Sequence, residues 1–325
     1  MKLKYRQALN LALKEEMRRD DSVILMGEDI GMYNGLFRVT QGLFAEFGPM
    51  RVIDTPLSEA GFIGFCVGAA MLGLRPVIEM CFAGLVPLAM EPIINQASTM
   101  RARLGGQVRI PMVIRLPSGV APWGGPVNNE NLDSLFYSVP GLKIAMPSTP
   151  RDARGMMKSA IRGEDPVLFS EHRDLYNTEG LVPEEEELIP FGQAVVRRPG
   201  SEVTVVSISE MVFKCLDAAE EVHQAEGTEV EVIDLRSLFP LDIATVIESV
   251  RKTGRLVIVH EASMIGGWGG EIVAQVAHGA LDYLESAPLR IAAKRVPTPS
   301  AETLFREVVP QREDIVKGIR SAMAQ

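Results

Sequence analysis

Short, continuously apolar runs recur along this 325-residue chain, and helix-like segments separate them. Val23-Ile24-Leu25-Met26, Val52-Ile53, Pro76-Val77-Ile78-Glu79, Pro111-Met112-Val113-Ile114-Arg115, Lys143-Ile144-Ala145-Met146 and Val167-Leu168-Phe169 are such runs. A strand that is apolar on both faces needs cover on both faces, and a parallel sheet between helical layers provides it. The segments between them fit this. Residues 6–19 carry Ala8, Leu9, Leu11, Ala12 and Leu13 among charges, as an amphipathic helix does, and further helices are predicted over about 89–103 and 151–162. The expected class is α/β.

The alternation pauses at 173–187, a stretch with Asn177, Gly180 and Pro183 that closes on the acidic run 184–187. It reads as a solvated linker. Afterwards come strands at Val203-Thr204-Val205-Val206-Ser207, Val230-Glu231-Val232-Ile233, Leu256-Val257-Ile258-Val259 and near Arg290-Ile291-Ala292. Helices are expected up to about 225, around 243–250, over 270–284 and over 313–323. The reading is two parallel-sheet domains, residues 1–185 and 186–325.

The formal charge of −9, with no basic run, argues against nucleic acid or an anionic membrane as partner. The apolar run around Leu72 is interrupted by glycines and Arg75, so it reads as a core helix and not a membrane span. Cys66, Cys81 and Cys215 lie far apart, without metal-ligand spacing, and fit free thiols in a reducing compartment. The first residues lack a signal-peptide pattern, and the expected location is cytoplasmic. The four histidines make no HExxH or paired metal spacing, and no Gly-x-Ser-x-Gly elbow exists. The run Gly266-Gly267-Trp268-Gly269-Gly270 follows a strand, but no Lys-Ser or Lys-Thr pair accompanies it. Its glycines therefore read as close helix packing and not as a phosphate cradle.

Ligands of open parallel sheets bind outside the carboxyl ends of strands, and the unusual residues collect there. Gly27-Glu28-Asp29 follows the first strand, Thr55 to Glu59 the second, and the long Gly- and Pro-rich loop 116–130 the strand ending at Arg115. Glu59 stands where a predicted strand gives way to the apolar helix from Gly61 to Met71. On local residues it is either a charge at a helix N-terminus or a carboxylate kept in a dry site for chemistry.

Several stretches together decide between these readings. Met26-Gly27-Glu28-Asp29, Asp54-Thr55-Pro56-Leu57-Ser58-Glu59-Ala60-Gly61, Gly73-Leu74-Arg75-Pro76, Met146-Pro147-Ser148-Thr149-Pro150, Asp234-Leu235-Arg236 and Pro240-Leu241-Asp242 resemble the β subunit of the E1 component of 2-oxo acid dehydrogenases, over essentially the whole chain. The resemblance implies a transketolase-like pyrimidine-binding domain followed by a transketolase C-terminal domain. It implies an α₂β₂ heterotetramer in which an E1 α-type subunit holds the diphosphate and Mg²⁺ of thiamin diphosphate, a 2-oxo acid or acyloin as substrate, and a lipoyl acyltransferase as further partner. Glu59 aligns with the carboxylate that contacts the aminopyrimidine and stabilises its imino form, with Glu28 and Leu85 as further cofactor contacts. A dry pocket would raise the Glu59 pKa and let it share a proton near neutrality. A potassium site is implied at Met112, Ala160, Gly163 and Asp165.

Four positions depart from the family pattern. Where the family carries a catalytic histidine in the long loop, this chain reads Asn128-Asn129-Glu130-Asn131, and a second histidine position is Ser138. Asparagine donates and accepts hydrogen bonds but exchanges no proton near neutral pH. The aromatic residue that packs on the pyrimidine is here Leu85, and an aspartate expected before Val296-Pro297 is Arg295. Three activities are compatible with this: the dehydrogenase role, a decarboxylase or carboligase that does not acylate lipoamide, with the acceptor held near Asn128, and a non-catalytic partner subunit.

Overall fold

The computed structural model describes residues 1–120 and 124–325. Pro122, part of the long loop singled out above, lies outside them. The chain forms two compact units, Met1–Ser118 with Leu135–Phe191 and Gly119–Ser134 with Gly192–Gln325.

In the first unit the strands stand in the order Lys143–Ala145, Val167–His172, Val113–Ser118, Arg75–Glu79, Val23–Gly27, Val52–Asp54, each parallel to its neighbour. Residues such as Val23, Ile24, Val77, Ile78, Val113 and Ile114 are buried, as strands covered on both faces require. The helix Tyr5–Arg19 buries Tyr5, Ala8, Leu9, Ala12, Leu13 and Met17 and packs against the helix Pro150–Arg162. That second helix starts cleanly. Thr149 accepts the Asp152 amide at 3.2 Å, and Pro150 occupies the first turn, where its missing N–H costs nothing.

Two expectations need correction here. The single helix over 89–103 is instead a π-helix Pro92–Ala97 and a short α-helix Met100–Arg103, preceded by a 3₁₀ helix Ala83–Ala89. Pro92 opens the π-helix without an amide to donate, and the Ser98 and Thr99 hydroxyls donate to Ile94 O and Asn95 O, both at 2.6 Å, in competition with the helix amides, so no continuous α-helix forms. Nor is 173–187 a solvated linker. Arg173–Asn177 is a 3₁₀ helix, and Glu179–Leu181 pairs antiparallel with Lys2–Lys4. Glu187 binds Arg151 at 2.5 Å, Glu186 binds Lys158 at 3.0 Å, and Ile189 lies so close to Gly155 that a Cβ there would meet it at 2.6 Å. These contacts attach 186–191 to the first unit.

The second unit has strands Leu289–Ala293, Leu256–Ser263, Val203–Ser207 and Val230–Asp234 in parallel, and Val195–Arg198 antiparallel at the edge. Val203, Val205, Val232, Val257 and Val259 form its core with Ala218 and Val222 of the helix Met211–Glu226 and Ile315 and Ile319 of the helix Arg312–Met323. Val120 joins this core, and the Thr298 amide donates to Glu130 at 3.1 Å, which is why 119–134 groups with the second unit. Among the described residues no helix is long and apolar enough to cross a membrane.

Candidate active site

The first unit places three of the expected contact residues at the carboxyl edge of neighbouring strands. Glu28 follows Val23–Gly27, Glu59 opens the helix after Val52–Asp54, and Leu85 lies on the 3₁₀ helix after Arg75–Glu79. The strands meet closely there. A Cβ on Gly27 would lie 2.6 Å from the Glu79 carbonyl, so this crossing demands glycine. The Thr55 amide donates to Gly27 O at 3.0 Å, and Asp54 accepts the Gly31 amide at 2.7 Å, which ties the loop before Glu59 to the adjacent strand.

The two carboxylates differ in surroundings. Glu28 is 8% exposed; Cys81 Sγ donates to its Oε2 at 3.0 Å, and its Oε1 is buried without a hydrogen-bond partner among the described residues. Glu59 is half-buried and makes no hydrogen bond or ion pair among the described residues. Ser58 provides no side-chain cap for this helix. The chain by itself therefore leaves Glu59 less sheltered than the expectation of a dry pocket requires. Leu85 is also half-buried.

Beneath this edge lies a charged cluster that sequence reasoning missed. Arg115 donates from Nε to Glu171 Oε1 and from Nη2 to Oε2, both at 2.7 Å, and from Nη1 to Glu79. Tyr176 donates its hydroxyl to Glu171 Oε2 at 2.8 Å. All four side chains are buried. Burial pushes the Glu79 carboxyl up, opposed by the Arg115 charge, and burial with the Glu171 charge holds the Tyr176 phenol well above its ordinary value. Burial disfavours the charged guanidinium, but the carboxylates of Glu171 and Glu79 outweigh it and keep Arg115 charged. Phe37 links the cluster outward, 5.2 Å from the Tyr176 ring and 6.0 Å from Phe82, over which Arg173 lies at 5.6 Å. One signal was available in the sequence: Glu79 and Arg115 interrupt otherwise apolar strands.

The four residues expected at a potassium site gather at the opposite, amino end of the same sheet. Met112 and Asp165 precede the paired strands Val113–Ser118 and Val167–His172, and Ala160 and Gly163 end the helix between. Met112 O accepts the Val167 amide at 3.0 Å, Ala160 O the Gly163 amide at 3.2 Å, and Gly163 O the Arg75 guanidinium at 2.7 Å. The Asp165 carboxylate is held by Arg101 at 2.7 Å and Lys143 at 3.0 Å. Burial raises its pKa, but the two cations outweigh burial and hold it below 3.8.

Asn128 belongs to the second unit, where it ends the short helix Gly125–Asn128 and is half-buried. The next residue, Asn129, is buried against Gly124, where a Cβ would lie 2.4 Å from its Nδ2. Glu130 and Asn131 line a cavity of about 460 Å³ with Glu261, Ser263, Lys294 and Arg295. In the same unit the glycine run serves packing: Gly267 and Gly269 abut the ring of His260, which a Cβ on either would meet at 2.5 and 2.8 Å.

Comparison with known proteins agrees with this architecture. Residues 1–179 match the transketolase pyrimidine-binding domain and residues 192–315 the transketolase C-terminal domain. A solved split-gene transketolase, described as an inactive β4 tetramer, superposes with a TM-score of 0.81 over 99% of this chain and 98% of that one. At 23% identity it bears on the fold alone. The pyruvate dehydrogenase E1 component subunit beta of Rickettsia felis is 43% identical, over 98% of each chain, and that of Rickettsia bellii 42% over the same shares. The mitochondrial beta-1 subunit of Arabidopsis thaliana is 43% identical, over 98% of this chain and 88% of its own length. The chain belongs to the family of transketolase-like β subunits of the E1 component of 2-oxo acid dehydrogenases.

Proposed function

We propose that this chain is the β half of an E1-type heterotetramer that uses thiamin diphosphate to decarboxylate a 2-oxo acid, with pyruvate first among the candidates because the relatives are pyruvate dehydrogenase subunits. The observation that carries the reading is the placement of Glu28, Glu59 and Leu85 beyond the carboxyl ends of three adjacent strands, with a buried Glu28 oxygen lacking a donor among the described residues. These residues fit an aminopyrimidine, which offers N–H donors and a flat apolar face. Bound thiamin diphosphate supplies a nucleophilic carbon and an electron sink for the loss of CO₂. Glu59 holds the proton exchanged at the pyrimidine ring nitrogen, Glu28 accepts an N–H, and Leu85 gives apolar contact in place of an aromatic ring.

The half-exposed state of Glu59 supports a partner. Its helix shows Phe65 60% exposed, and Leu57 and Leu72, on either side of that helix, are 82% and 89% exposed. A residue set this apolar favours burial on assembly. An α-type subunit in an α₂β₂ assembly, holding Mg²⁺ and the diphosphate, would cover this face and exclude water from Glu59. Potassium at Met112, Ala160, Gly163 and Asp165 remains compatible, since each of the three engaged carbonyls keeps a second lone pair. A thermal midpoint higher in KCl than in NaCl would support it.

For the acyl acceptor, the family membership favours a lipoyl acyltransferase. Asn128 favours a second reading, transfer to an aldehyde or other carbonyl, because no imidazole is available at that position to exchange protons. The test combines this chain, its α partner, thiamin diphosphate and Mg²⁺ with pyruvate, branched 2-oxo acids or acetoin and an artificial electron acceptor. Reductive acylation of an added lipoyl domain identifies the dehydrogenase, and ligation to an added aldehyde the carboligase. An assembly that binds the cofactor without turnover is the non-catalytic partner, and one that binds none overturns the proposal.

A further inference from the structure

The carboxyl edge of the first sheet holds a thiol that the chemistry above does not use. Cys81 lies two residues beyond the strand Arg75–Glu79, and Glu28 one residue beyond Val23–Gly27. These strands are direct neighbours, with Gly27 opposite Glu79. The Cys81 thiol donates to Glu28 Oε2 at 3.0 Å. Glu28 is 8% exposed, and its second oxygen, Oε1, is buried with no donor among the described residues. A buried acceptor without a donor costs free energy that a bound ligand recovers by supplying one.

We propose that Cys81 is a positioning residue: its thiol clamps one oxygen of Glu28 and so presents the other to the exocyclic amine of the bound aminopyrimidine. The proposal rests on the thiamin diphosphate reading. The thiol suits this task because it remains an S–H donor. Burial pushes its ionisation upward, and the charges of Glu28, Glu79 and Asp29 push it further the same way. A protonated thiol among carboxylates is a poor nucleophile, which removes a covalent role. As a weak donor it leaves the carboxylate charge largely available to the ligand. Serine can make the same bond, whereas alanine frees both oxygens to rotate.

The test uses wild type, Cys81→Ser, Cys81→Ala and Glu28→Gln, each assembled with the α-type subunit, and reads two quantities. The first is the dissociation constant for thiamin diphosphate. We expect Cys81→Ala to weaken binding about tenfold and Cys81→Ser to stay within about threefold, as loss and retention of one hydrogen bond to a charged group imply. The second, independent of cofactor, is the infrared S–H stretching band of Cys81, which should move to higher wavenumber in Glu28→Gln while those of Cys66 and Cys215 stay in place. Wild-type affinity in Cys81→Ala, equal losses in the alanine and serine variants, or an unmoved band would each overturn the clamp. Absence of cofactor binding by wild type would instead overturn the cofactor reading, and the ligand half of the proposal with it.

Discussion

Arg115 and Glu171 form a bidentate ion pair between adjacent strands, with both N–H···O distances at 2.7 Å and side-chain exposures of 1% and 0%. Glu79 meets the same guanidinium from the strand on the other side. Replacing Arg115 by Met would leave two buried carboxylates facing each other without a cation. The expected loss is about 3–5 kcal/mol, the range for breaking a buried pair from one side. Lys should rescue only part, because an ammonium cannot reproduce the two parallel bonds. Urea midpoints of the three proteins provide the check, and a Met variant as stable as wild type would contradict the assignment.

His260 should stay neutral where ordinary histidines titrate. Burial lowers its pKa to about 4 from 6.5; the 2.9 Å bond to Ala262 O opposes this in part, and the Arg290 charge adds a lesser push downward. Between those two values the unfolded chain binds a proton that the folded chain does not, so stability falls as the pH drops from 6.5 toward 4. The limit of this effect is about 3 kcal/mol. His260→Gln should flatten that part of the stability profile. The His260 ring lies 4.7 Å from Trp268, and the emission of that tryptophan should stay constant from pH 8 to pH 5.

Two neighbouring glycines should respond to alanine for different reasons. At Gly266 the surroundings are open and only the φ of +75° opposes a side chain, a cost of about 1–2 kcal/mol. At Gly267 a Cβ would lie 2.3 Å from Ser263 O and 2.5 Å from His260 Cε1, and the expected cost is about 1–3 kcal/mol from displaced packing. Only the second substitution should alter the Trp268 emission, because only it presses on the ring beside that tryptophan.

The parallel sheets were legible because strands such as Val23–Gly27 and Val203–Ser207 are apolar on both faces, a local property. Pro92 is plain in the sequence, but the competing bonds of the Ser98 and Thr99 hydroxyls to Ile94 O and Asn95 O arise from local geometry that the apolar character of the segment does not record. The pairing of Glu179–Leu181 with Lys2–Lys4 joins distant parts of the chain, and no periodicity records such a partner. For the same reason the acidic run reads as solvated in sequence, whereas Glu186 and Glu187 pair with Lys158 and Arg151 on a neighbouring helix. At the candidate site, Glu28 and Glu59 stood out through their strand-end positions. Cys81 occupies an equivalent position, but its bond to Glu28 depends on which strands are neighbours, and that order is set by the fold.

Glu59 offers the most direct test of the account. It is half-buried without a partner among the described residues, so Glu59→Gln should change the unfolding free energy by no more than about 0.5 kcal/mol. In the assembly with α subunit, thiamin diphosphate and Mg²⁺, the decarboxylation rate of that variant should fall at least about 100-fold, the usual share of a positioned proton-transfer group. A Gln variant that binds the cofactor and turns over at the wild-type rate would contradict the central claim.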